Sequence, residues 1–85
     1  MGREGYSSYD DIPDEKKARM VRWIADLTMA LISQQEGLTM GEAISLVEGA
    51  KRMILKLYPD KESTYELIYA PRFRRAIESR FGREL

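Results

Sequence analysis

Two amphipathic stretches separated by only three residues, Gly37-Leu38-Thr39, constrain this chain more than any other feature. A link that short cannot carry the second segment away from the first. If both segments are helices, they must fold back on each other as an antiparallel hairpin.

The first stretch has a clear start. Pro13 stands near a first helical turn, where its missing N–H costs nothing, and Asp14 and Glu15 complement the positive end of the helix dipole. The expected helix runs over about 13–36, with Gly37 as a left-handed C-terminal cap. At ~100° per residue, Met20, Val21, Ile24, Leu27, Thr28, Leu31 and Ile32 form one apolar stripe. Trp23 and Ala30 widen one flank and Ala25 the other, while Arg19, Arg22, Asp26 and Ser33 lie opposite. The arc spans about 200°, more than the ~100° that a single neighbour requires, so two neighbours are expected. Met29 falls among the polar residues and is expected at the surface.

Thr39-Met40-Gly41-Glu42 opens the second stretch as a capping box, with the Thr39 hydroxyl accepting from the Glu42 amide and the Glu42 carboxylate reaching back. This helix is expected over about 40–58, stopped by Pro59. Ala43, Leu46, Val47, Ala50, Ile54 and Leu57 make its core stripe, and Ile44, Lys51 and Leu55 a mixed flank. Gly41, Ser45 and Gly49 recur every four residues on the more polar side, where another backbone has room to approach. Each interior glycine costs a helix about 1 kcal/mol relative to alanine.

The last third reads as two short helices, about 61–69 and about 71–81. Ser63 and Glu66 form a second capping-box pattern, Pro71 opens the final helix and Gly82 caps it. Leu67, Ile68, Phe73, Ala76, Ile77 and Phe81 are expected to bury against the hairpin and so cover both wide arcs. No segment alternates with the period of a strand. The expected fold is all-α: a small helical bundle in which the two short C-terminal helices pack across the hairpin. Residues 1–11 read as a flexible N-terminal arm and 12–85 as a single helical domain.

Composition narrows the function. Among 85 residues there is no cysteine and no histidine, which removes thiolate zinc sites, disulfides, cysteine nucleophiles and the commonest general base and metal ligand. The acidic group Asp10, Asp11, Asp14 and Glu15 lacks the spacing of a calcium loop and reads as charge complementing a helix N-terminus. No glycine-rich phosphate loop occurs. The expectation is a non-enzyme with no cofactor and no metal. No stretch approaches the ~20 apolar residues of a membrane span, and the opening residues carry no apolar run, so a cytoplasmic protein without membrane attachment is expected.

Two binding readings remain. An 85-residue chain buries only about 60% of its unfolded surface, so a second copy or another protein would enlarge a marginal core. Met29, Ile44 and Leu55 are the candidate partner surface for such a protein-interaction or regulatory domain, as a homodimer or with an unidentified protein. The alternative is a small nucleic-acid binder. Residues 71–85 carry five arginines and two glutamates in a chain that balances as a whole, with 14 basic and 14 acidic residues. Arg72, Arg74, Arg75 and Arg80 form the candidate patch, since guanidinium groups grip phosphate and stack on bases. Against it, Arg74 and Glu78 have the i,i+4 spacing of an ion pair, and nucleic-acid-binding domains carry a larger basic excess. A helix-turn-helix arrangement is disfavoured because Glu42 and Glu48 would meet the phosphates first.

Overall fold

The computed structural model describes residues 12–82; the arm over 1–11, with Asp10 and Asp11, and Arg83 lie outside the described residues. Helix α1 spans Asp14–Gln34 and helix α2 Met40–Leu57. They lie antiparallel against each other, as the short link requires. Pro13 serves as the N-cap of α1 rather than its first residue: its φ of −61° is already set, and its carbonyl accepts from the Lys16 and Lys17 amides at 3.0 and 2.9 Å. At the far end Gln35 is the C-cap, in extended conformation. Gly37, at φ +75°, turns the link two residues further on instead of capping the helix. The capping box of α2 is complete, with Glu42 N donating to Thr39 Oγ1 at 3.1 Å and Thr39 N donating to the Glu42 carboxylate at 3.0 Å.

The C-terminal segment begins with a single α-turn, α3 (Glu62–Thr64), widens into a π-helical turn over Tyr65–Tyr69, and continues as α4 (Ala70–Phe81). Its two pieces therefore join without a break. The Ala70 amide bonds back to the Tyr65 carbonyl, five residues away. An α-turn here would drive the Pro71 ring into the carbonyl of Leu67, and the wider turn relieves that clash.

The extra residue also resets the helical phase. Tyr65 and Phe73 are eight positions apart, which in an unbroken α-helix would set them ~80° apart around the axis. With one residue absorbed by the wide turn they share a face. Both are buried, with ring centroids 6.3 Å apart. Leu67 and Ile68 turn outward at 72% and 45% exposure, contrary to the expectation that they bury against the hairpin.

The core has two centres. Val21, Ile24 and Ala25 of α1 meet Ala50, Ile54 and Leu57 of α2 together with Tyr65 and Phe73. Nearer the link, Ile32 and Leu38 meet Ala43, Ala76 and Ile77. Met29, expected at the surface, is half-buried and packs against both centres, because α4 docks on that side of α1. Phe73 is fully covered. Truncating such a side chain typically costs about 3–5 kcal/mol.

Two long-range polar contacts fasten the C-terminal segment. Lys51 of α2 donates to Glu66 at 3.0 Å and sits 3.6 Å from Glu62, and these carboxylates hold its ammonium above the usual lysine pKa. Arg80 Nη1 donates to the Ile32 carbonyl at 2.9 Å, across 48 residues of sequence. That oxygen belongs to the last turn of α1, where carbonyls lack intrahelical partners. Arg80 is therefore a C-terminal cap supplied by a different helix. The i,i+4 pair of Arg74 and Glu78 does not form; the ion pairs described among residues 12–82 are those of Lys51.

Candidate protein-docking groove

The position of α4 decides which part of the wide α1 arc stays open. It covers the flank that carries Ala25 and Met29, and no described element covers the other. Trp23 is 64% exposed and Leu27 43%, although the periodicity placed Leu27 in the core stripe. Facing them across a shallow groove are Ser45, Leu46, Gly49 and Met53 of α2, with Met53 52% exposed. Ile24, Thr28 and Ala50 form the floor, and the groove encloses about 250 Å³.

The groove is chemically simple. Its one buried polar side chain, Thr28, donates to the Ile24 carbonyl of its own helix at 2.8 Å, so no hydrogen-bonding demand remains at the floor. Single exposed apolar residues are ordinary, but contiguous ones rimmed by charge mark interaction surfaces. Asp26, Glu42, Glu48, Arg52 and Lys56 provide exposed charge on the same two helices. The backbone at Gly49 is accessible, because a Cβ placed there would meet nothing within 4 Å. No contact among the described residues thus accounts for a glycine in the middle of α2.

The residues singled out from sequence are scattered by the fold. Met29 is half-buried between the two core centres, and Leu55 is half-buried against the first of them. Neither is an open partner surface. Ile44 alone is exposed, at 42%, and it lines a different hollow with Val47, Ala70, Phe73, Arg74 and Ile77. The open α1–α2 face is not among the sequence-derived candidates because periodicity gives the width of an apolar arc without saying which side a third helix will take. Its available signals were Trp23 on the flank of an over-wide arc and the small residues Ser45 and Gly49.

The candidate arginine patch is dispersed as well. Arg72 and Arg75 are exposed on one flank of α4. Arg74 projects about 200° around the helix from Arg72. Arg72 stacks over the Tyr69 ring at 6.0 Å. Arg80 is occupied by the Ile32 carbonyl and lies over Phe81 at 5.6 Å, so it belongs to the helix-capping apparatus. Three of the four arginines stay free to meet an anion, on two different sides.

A second concavity, about 340 Å³, opens between Ala18, Arg22, Tyr58, Lys61 and Tyr69. Burial pushes the phenol of Tyr65, in its wall, above the usual tyrosine pKa. Among the described residues no three acidic side chains gather as a metal-binding group, and no helix is long and apolar enough to cross a membrane. No protein-family model, curated protein or solved structure matches the chain at a significant level.

Proposed function

We propose that this protein is a non-catalytic, cytoplasmic interaction module that docks an amphipathic helix in the α1–α2 groove. The observation that carries this reading is the contiguous exposure of Trp23, Leu27 and Met53 around a floor with no unmet polar group. A helix laid there would bury an aromatic and a methionine, two side-chain types enriched at interfaces, while its flanks met charged residues. A chain lacking histidine and cysteine has few groups suited to acid–base or nucleophilic chemistry, which also favours binding over catalysis. The nucleic-acid reading loses support, since Arg80 serves α1 and Arg74 is turned away from Arg72.

Site-specific photo-crosslinking in living cells tests the reading. A photoreactive amino acid replaces Trp23 or Met53 in one set of variants and Arg72 or Arg75 in another. Discrete protein adducts from positions 23 and 53, absent from 72 and 75, are expected. Nucleic-acid adducts from 72 and 75, with none from the groove, would replace this reading with its rival.

A further inference from the structure

Resting on the docking reading above, we infer that the occupant of the groove is a second copy of this chain, with α2 crossing its mate antiparallel at Gly49. Charge distribution is the deciding argument. The acids of the exposed face of α2, Glu42 and Glu48, lie in its N-terminal half, and the bases Arg52 and Lys56 lie in its C-terminal half. An antiparallel pair of such helices brings each acidic half against a basic half. A two-fold axis at Gly49 sets Glu42 beside Lys56 of the other copy, since each stands seven residues from the centre. Glu48, about 100° around the helix from Gly49, falls at the rim of the contact, about 3 Å along the axis from Arg52 of the other copy and on the same side.

Steric matching follows the same axis. Ser45 and Met53 each lie four residues from Gly49, so a small side chain in one copy faces a large one in the other. The open space over Gly49 lets the two backbones approach at the crossing. Trp23 and Leu27, on the neighbouring helix, are then covered at the edge of the contact. The other two-fold stacking, α1 upon α2 of the second copy, puts Arg19 and Arg22 against Arg52 and Lys56. Like charges oppose that arrangement. A closed, isologous dimer built on α2 satisfies the charge and the shape together.

Sedimentation equilibrium of the full chain, from micromolar to near-millimolar concentration, is the primary test. A dimer is expected. Glu48→Lys and Arg52→Glu are each expected to raise its dissociation constant roughly tenfold, because each replaces two symmetry-related attractions by repulsions. The double variant should recover affinity. Glu42 is left unchanged because its carboxylate closes the capping box of α2. Gly49→Cys, introduced into a chain that has no cysteine, should form an intermolecular disulfide on mild oxidation, whereas Ile44→Cys on another face of α2 should not. Circular dichroism confirms that each variant is folded.

A wild-type chain that stays monomeric overturns the inference. A dimer that ignores the charge reversals, or that cross-links through position 44 and not 49, overturns it too. A monomer whose groove still cross-links to a different protein in cells loses only the identity of the occupant. A monomer whose groove captures nothing in cells removes the docking reading as well.

Discussion

Replacing Arg80 with methionine isolates the contact that ties the C-terminal helix to the end of the first. Methionine keeps an unbranched apolar stem but removes every donor together with the guanidinium over Phe81, leaving the Ile32 carbonyl without its 2.9 Å partner. Hydrogen bonds from charged donors contribute about 1.5–3 kcal/mol, and Ile32 itself has no solvent-accessible surface. Arg80 is only partly buried, so water can reach some of the vacated space and the low end applies, about 1.5 kcal/mol. For a domain of this size that lowers Tm by about 6–12 °C. Thermal unfolding followed by circular dichroism measures it, with Arg72→Met as the exposed control, expected to shift Tm little. Arg80→Lys should recover part of the loss, since a cation near a helix C-terminus is favourable even without the bond. Equal melting temperatures for Arg80→Met and Arg72→Met would refute the capping role and return Arg80 to the pool of free surface charge.

Phe73→Ala should cost about 3–5 kcal/mol, a large part of the stability of a small domain, and urea titration should show a sharply lowered midpoint. Leu67→Lys should change stability by no more than about 0.5 kcal/mol in the same titration, because the side chain is 72% exposed; a large loss would mean that the phase shift at the π-helical turn is wrong. Tyr65 gives an alkaline signature. Its pKa is raised by burial above the ordinary value of 10.0, so its contribution is fully present below that value and is lost as pH rises through the folded-state pKa. Tyr65→Phe should flatten this part of the stability–pH curve, leaving the loss due to Lys51, whose pKa is also raised.

The hairpin was legible in the sequence because its determinants are local. Thr39 and Glu42 settle the start of α2 by themselves, and three linking residues settle the antiparallel arrangement. The all-α architecture followed from periodicity. What escaped depends on the third helix. Leu27 lies inside the apolar arc and Met29 outside it among polar residues, yet α4 docks on the Met29 side, so Met29 is half-buried while Leu27 stays uncovered. Leu67 and Ile68 are expected in the core as the apolar pair of a short helix, but the wide turn over Tyr65–Tyr69 puts Tyr65 on the buried face and leaves both of them outside. Arg80 resembled its neighbours on α4 because its partner is a main-chain oxygen 48 residues earlier, and no side-chain pattern advertises a carbonyl. The open groove has the same origin, since Trp23 is an uncovered flank only because α4 took the other side.

The wide turn before Pro71 makes the chain's tolerance of insertion and deletion conditional. One residue of Tyr65–Tyr69 is a surplus relative to an α-helix, so removing an exposed one, Leu67, would let the segment close into regular α-turns while Tyr65 and Phe73 kept a common face. Pro71 forbids that outcome by itself, because its ring would then meet the carbonyl of the preceding turn. The surplus residue and the proline therefore form a linked pair of characters. Losing the residue first should be harmful, whereas changing Pro71 to alanine first opens a route along which the same deletion is nearly neutral. The order of substitution, rather than its end point, would govern how this helix can vary.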